Sequence, residues 1–298
     1  MTTSASAASG KRFRVELITA ESASSRLVRH RRLIRFPQLT MPLLAAYTPA
    51  HWDVSHTDEI VQRVDFAKRV DVVAITANTP AAPHAYQLAH EFRARGVKVV
   101  IGGPHATLLP DEVAQHADAV VVGEGELVWP QLLADFERGA LQRMYRSCAL
   151  PTLKQMPAPR WDLIKGRAYG RGVTIATRGC PFACDYCTIP QMYQRRMRYR
   201  PVGEIVDEIK RMPGRALIFW DDNLGANRDY AKELFTPSRR SSAGGPASVR
   251  RMWRRMTSSC CWRPGAAARH YSWDWKQFRK PASTSRINAI IAPVNTRR

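Results

Sequence analysis

Short apolar runs alternate with amphipathic stretches from residue 12 to residue 130. Residues 13–18, 70–75, 97–101 and 118–122 are rich in Val, Ile and Leu and predict strands, most of them apolar enough to be buried on both faces of a parallel sheet. Between the second and third runs, Ala85, Leu88, Ala89 and Phe92 fall at helical spacing. They predict a helix over residues 84–95 with one apolar face, closed by Gly96. Residues 110–113 (Pro-Asp-Glu-Val) open a short helix with acids in its first turn, and residues 127–138 form another helix. Strands alternating with amphipathic helices predict an α/β fold with a Rossmann-like parallel sheet covered on both faces.

In such sheets ligands bind outside the carboxyl ends of the strands. Three of those ends have unusual composition: Thr76, Asn78 and Thr79; Gly102, Gly103, Pro104 and His105; and Gly123 and Glu124, followed by Gly125 and Glu126. Glycine lets backbone approach a bulky planar ligand. Taken singly, each end reads equally well as an ordinary tight turn. Three on one edge read as a binding rim.

Residues 139–170 form a connector broken by Pro151, Pro157 and Pro159. Residues 173–177 then predict a short buried strand, and Arg178 and Gly179 turn the chain into a loop carrying Cys180, Cys184, Tyr186 and Cys187. Three residues separate the first two cysteines and two separate the last two. That spacing lets one loop wrap three thiolates around a single metal centre, and three thiolates on a cubane leave one iron without a protein ligand. Structural zinc with a distant fourth ligand and disulfide pairing are the other readings of these thiols. No nearby histidine or second cysteine pair has zinc spacing, and Cys148, Cys260 and Cys261 form no Cys-x2-Cys. Residues 1–10 are small and polar, unlike a secretory signal, so a cytoplasmic chain with reduced thiols is expected. Residues 195–201 are basic and suit either a solvated loop or contacts to phosphate, carboxylate or substrate. A helix follows over residues 201–211, with Val202, Ile205, Val206 and Ile209 on one face. Residues 216–220 form a strand ending in Asp221, Asp222 and Asn223, carboxylates at a strand end where barrel sites lie. The same three residues also suit an Asx turn or a helix cap.

The cysteine loop resembles the signature of the radical SAM superfamily, Cys-x3-Cys-x2-Cys with an aromatic before the last cysteine, here Tyr186. The resemblance implies a [4Fe-4S] cluster on Cys180, Cys184 and Cys187, with S-adenosylmethionine chelated at the open iron. One electron, from a donor such as flavodoxin or ferredoxin, then cleaves the sulfonium to a 5′-deoxyadenosyl radical. It also implies S-adenosylmethionine contacts near Tyr186 and at Asp221, Asp222 and Asn223, where cobalamin-type relatives carry Asp-Asp-Asn. Residues 71–76, 86–89, 92–96, 102–110 and 117–124 resemble the cobalamin-binding domain that precedes the barrel in one large group of this superfamily. The implied cobalamin contacts are Thr76, Asn78, Thr79, Gly102, Gly103, Pro104, His105, Gly123 and Glu124. No Asp-x-His-x-x-Gly motif is present, so that motif supplies no histidine ligand to cobalt. The implied reaction is radical methyl transfer, or a related radical rearrangement or cyclisation, on a small-molecule substrate. The expected layout is a cobalamin-binding domain over 11–140, a linker over 141–170, the first part of a partial (β/α) barrel over 171–235, and a basic tail of low order over 236–298.

The chain has 298 residues, 45% of them hydrophobic, enough for one or two domains. No run of about 18 apolar residues exists, so no membrane span is expected. A net charge of +21 ordinarily invites a nucleic-acid reading. Residues 236–298, however, hold 14 Lys/Arg against one acid, Asp274, so +13 of that charge sits in the last fifth of the chain. This segment has no strand or helix period and no Glu, and Arg, Ser, Ala, Trp and Pro dominate it. It resembles an out-of-frame reading of a GC-rich gene. The expectation is a frame lost near Phe235, a barrel cut to about two strand–helix units with open sheet edges, and weak or no activity. The other reading of the segment is a genuine basic tail for RNA or an acidic partner. For the whole chain, a non-catalytic cobalamin-binding fragment and a basic nucleic-acid binder stand beside the radical enzyme.

Overall fold

The computed structural model describes residues 12–22, 37–147, 149–165, 169, 172–212 and 217–235. The expected basic tail and frame change over residues 236–298 lie outside the described residues.

Six strands form one sheet: β1 (Phe13–Thr19), β2 (Trp52–Asp58), β3 (Val72–Thr76), β4 (Lys98–Gly102), β5 (Ala119–Val122) and β6 (Met144–Arg146). Their order is β2-β1-β3-β4-β5-β6 and every pairing is parallel. The chain runs outward from β1 to β2, then returns to the other side of β1, so the strand order reverses between β1 and β3. Such a switch point opens a crevice at the strand ends. Helices α1 (Thr40–Ala46), α2 (Ala82–Ala94), α3 (Pro104–Leu108), α4 (Pro110–Val113) and α5 (Trp129–Glu137) lie between the strands in the chain.

The strand period of two divides the core into two layers. Val73 and Ile75 of β3 pack with Ile101 and with Ala85, Leu88, Ala89 and Phe92, the expected apolar face of α2. Val72 and Ala74 pack on the opposite side with Val15, Leu17, Trp129, Leu132 and Leu133. Burying each of the larger side chains stabilises the fold by about 1.5–3 kcal/mol. The α/β architecture and parallel sheet are those expected.

Strand β2, helix α1 and strand β6 were not anticipated. Strand β2 reads Trp-Asp-Val-Ser-His-Thr-Asp, too polar for a buried strand by composition. It pairs with β1 along its full length because β1 carries a buried partner for its hydroxyls. Glu16, 3% exposed, accepts hydrogen bonds from Ser55 and from Thr57 at 2.5 Å, and pairs with Lys68.

The second half is built on smaller pieces. β7 (Gly172–Thr174) pairs in parallel with β10 (Leu217–Phe219), and β8 (Thr177–Arg178) pairs antiparallel with β9 (Arg198–Tyr199). Helices α6 (Ile189–Met192), α7 (Val202–Arg211) and α8 (Arg228–Phe235) complete it. Ile205 and Ile209 of α7 pack with Ala176, Leu217, Phe219 and Leu234. Glu208 occupies a further buried position on that helix, 4% exposed, opposite Arg200 at 2.7 Å. Among the described residues no helix is long and apolar enough to cross a membrane.

Candidate metal centre and cofactor rim

Strands β8 and β9 form the neck of the loop that carries the cysteines. Arg178 and Arg198 stand directly opposite one another across that neck. Gly179 follows with φ +90°, and a Cβ there would fall closer than 3.0 Å to the Arg196 carbonyl oxygen, so only glycine fits the turn. Cys180, Cys184 and Cys187 are free and half-buried. The Cys187 amide donates to the Cys184 carbonyl at 3.1 Å, a tight turn that brings the last two cysteines together in the chain. Among the described residues no three of His, Cys, Asp and Glu converge as a metal site, so the loop presents its thiols without a preformed cage. The donor set fits an iron–sulfur cluster: three free thiols on one loop, with an amide donor at one sulfur. Tyr186 is 77% exposed and Phe182 54%.

The three residues after β10 each address the stem of this loop. Asp221 accepts from the Ala176 amide at 3.0 Å, the Thr177 amide, and the Thr177 hydroxyl at 2.7 Å. Asp222 accepts from the Gly179 amide at 2.8 Å. Asn223 donates from Nδ2 to the Cys180 sulfur at 3.4 Å. Residues singled out as contacts for S-adenosylmethionine thus form, in this conformation, a ladder of braces along residues 176–180. Burial pushes the Asp221 carboxyl up to about 6 against the pull of its hydrogen bonds, and burial also raises Asp222.

At the rim, the expected cobalamin contacts are largely engaged with one another. Thr76 is buried, and Gly103, at φ +95°, has no room for a Cβ, which would lie 2.5 Å from the Thr76 hydroxyl. Asn78 caps its own turn by accepting from the Ala81 amide at 3.1 Å. His105, 3% exposed, hydrogen-bonds the Tyr86 hydroxyl at 2.8 Å and the Thr79 hydroxyl at 3.3 Å. Pro104 begins α3, and the Thr107 hydroxyl of that helix donates to the Gly103 carbonyl while accepting from the Gly123 amide. A Cβ at Gly102 would meet Val121 at ordinary contact distance, and the Gly102 carbonyl accepts from the Ala77 amide at 3.3 Å. The three strand-end loops are therefore interlocked on one edge.

Glu124 lies between the rim and the cysteine loop. It pairs with Arg178 at 2.8 Å and with Arg198 at 2.6 Å, and Arg178 also reaches Glu126 at 2.6 Å. Burial alone would raise the Glu124 carboxyl, but the two guanidiniums outweigh it and hold the group below the usual range. The sequence left the basic run 195–201 as either a solvated loop or a contact to phosphate, carboxylate or substrate, and two of its arginines meet carboxylates of the chain itself. Arg198 takes Glu124 and Arg200 takes Glu208. Arg178 was not singled out as a site residue, and Glu126 entered only as the last residue of a rim loop. Their signal in the sequence was adjacency to the rim and to the first cysteine, which gives no hint that the two ends meet.

Two family models match the chain. Residues 36–133 match the B12 binding domain model and residues 174–254 match the Radical SAM superfamily model. The chain belongs to the radical SAM superfamily, in the group that carries a B12 binding domain ahead of the radical SAM domain. The cofactors of that domain pair are a [4Fe-4S] cluster, S-adenosylmethionine and cobalamin. The chain is 32% identical over 210 residues to the bacteriochlorophyllide d C-12(1)-methyltransferase of Chlorobaculum tepidum, covering 66% of this chain and 46% of that protein. It is 28% identical over 211 residues to the hopanoid C-2 methylase of Rhodopseudomonas palustris, covering 66% and 39%. It is 30% identical over 203 residues to the anaerobic magnesium-protoporphyrin IX monomethyl ester cyclase of Cereibacter sphaeroides, covering 56% and 33%. The chain thus spans half or less of the length of these relatives. The radical S-adenosylmethionine methyltransferase TsrM from Kitasatospora setae, solved with cobalamin and a [4Fe-4S] cluster, shares the fold. Its TM-score is 0.55 at 18% identity, covering 76% of this chain and 52% of that one.

Proposed function

We propose that Cys180, Cys184 and Cys187 hold a [4Fe-4S] cluster with S-adenosylmethionine at its open iron, and that the rim of the parallel sheet holds cobalamin. The reading is radical methyl transfer, or a related radical cyclisation, on a small-molecule substrate in the cytoplasm, with flavodoxin or ferredoxin as electron donor. The observation that carries it is the stem of the cysteine loop, which Asp221, Asp222 and Asn223 brace at three successive points.

When bound, the cluster supplies one electron to the sulfonium and cobalamin supplies a methyl carrier. The chain's own residues do the rest. The three thiols ligate as thiolates and release their protons on binding. Asn223 directs an amide N–H at the Cys180 sulfur, which suits a charged thiolate better than a thiol. Asp222 holds Gly179, and through it the turn into Cys180. Exposed Tyr186 offers a flat apolar face beside the last cysteine for a nucleoside ring. Thr76, Asn78, Thr79, Gly102, Gly103, Pro104, His105, Gly123 and Glu124 shape the rim, with His105 and Glu124 acting through their protein partners.

The test is anaerobic reconstitution with iron and sulfide, then iron counting and EPR of the reduced protein. A [4Fe-4S]⁺ signal that changes on adding S-adenosylmethionine and is lost in Cys184→Ala supports the reading. A cluster indifferent to S-adenosylmethionine, or none, refutes it.

A further inference from the structure

Arg178 and Arg198 face each other across the two-residue ladder that closes the cysteine loop. Like charges directly opposed on neighbouring strands repel, and both side chains are withdrawn from water, 11% and 14% exposed. Left to itself, this hairpin opposes its own closure. The missing counter-charge comes from elsewhere in the chain: Glu124 and Glu126, on the loop after β5 of the B12-binding domain, 7% and 12% exposed. Glu124 takes Arg198 with both nitrogens, at 2.6 and 2.8 Å, and Arg178 at 2.8 Å. Glu126 takes the other nitrogen of Arg178 at 2.6 Å, and Arg198 further donates to the Pro151 carbonyl of the connector at 2.8 Å. Two carboxylates and two guanidiniums form a neutral, buried set that no single half of the chain can assemble.

We propose that this set is a latch through which the rim of the B12-binding domain closes the neck of the cysteine loop. Glu124 and Glu126 are positioning residues for Cys180, acting through Arg178 two residues before it. Buried ion pairs of this kind add little net stability over apolar packing, but leaving one partner unpaired is costly. Their effect is therefore on register, and they connect the cofactor rim to the metal loop. The latch itself is independent of cofactors; its effect on cluster retention rests on the function proposed above.

Amide hydrogen exchange on the full, metal-free chain tests the latch without any cofactor. Glu124→Gln strands the Arg198 charge, so exchange across residues 177–187 rises about tenfold or more while β3 and β4 are unchanged. Adding Arg198→Met removes the stranded charge and returns exchange to within about threefold of the parent. Glu126→Gln, in which Arg178 keeps Glu124, gives a smaller rise in the same amides and serves if Glu124→Gln fails to fold. Unchanged loop exchange in both single variants overturns the latch, as does a double variant that exchanges as fast as Glu124→Gln. Iron loss to a ferrous chelator from reconstituted protein should follow the same order. A parent chain that takes up no iron would defeat the proposed function and leave the exchange result standing.

Discussion

Replacing Gly179 by alanine isolates the one backbone position on which the cysteine loop turns. Two costs arise. The first is conformational: at φ +90° an L side chain is disfavoured by about 1–2 kcal/mol. The second is steric: the new Cβ would lie inside 3.0 Å of the Arg196 carbonyl oxygen, 3.2 Å from its carbon and 3.3 Å from the Tyr193 Cβ. The obstructing atoms are mostly backbone, so no rotamer change relieves them. The turn around Arg196 must move, and it leads directly into Arg198 and its pairing with Glu124. Overpacking of this kind costs about 1–3 kcal/mol. Gly139 is the control, because it has φ +70° and nothing within 4 Å of a built Cβ. Both variants share the conformational cost and the unfolded-state effect of alanine, so their difference reports the clash. In urea unfolding, Gly179→Ala should be less stable than Gly139→Ala by about 1–3 kcal/mol. Reconstituted Gly179→Ala should also lose iron faster than Gly139→Ala. Stabilities equal within about 0.5 kcal/mol would refute the close approach of the Arg196 backbone to the turn.

Asp221→Asn tests the buried acid behind the loop stem. Burial raises its folded-state value to about 6 from 3.8, so protonation favours the fold. The contribution is complete below pH 3.8 and is lost as pH rises through about 6. The stability of the parent relative to Asp221→Asn should therefore fall by about 3 kcal/mol between pH 3.5 and pH 7.5, and a pH-independent difference in urea unfolding would sink the assignment. Arg200→Met leaves Glu208 charged and buried with only the Thr174 hydroxyl, and should cost about 3–5 kcal/mol, whereas Arg200→Met with Glu208→Leu should recover most of that loss. A double variant no more stable than the single one would contradict it. Phe92→Ala should cost about 3–5 kcal/mol in the same measurement, since that ring is 1% exposed and packs on Phe66 at 5.0 Å; a loss below about 1 kcal/mol would mean the site collapses freely.

The sequence by itself determined those features that rest on local pattern. The spacing of Cys180, Cys184 and Cys187 is a property of one loop and needs no partner to be recognised. The strands at β1, β3, β4 and β5 are short apolar runs, and α2 carries its apolar face at Ala85, Leu88, Ala89 and Phe92. Solvent alone dictates that such surfaces be covered. Polar composition concealed β2, whose Ser55 and Thr57 are at home beside β1 only because Glu16 is buried there. Tertiary structure alone decided what the charged residues do. A carboxylate or guanidinium has no preferred place until a partner of opposite sign is brought to it, and here the partners lie far apart in the chain. Glu124 reads as a rim residue and Arg198 as a basic loop residue until the fold sets them 2.6 Å apart, 74 residues removed in sequence. Asp221, Asp222 and Asn223 likewise read as a strand end facing a ligand. The parallel pairing of β10 with β7 brings them beside the stem of the cysteine loop, because adjacency across a sheet is set by pairing and not by distance along the chain.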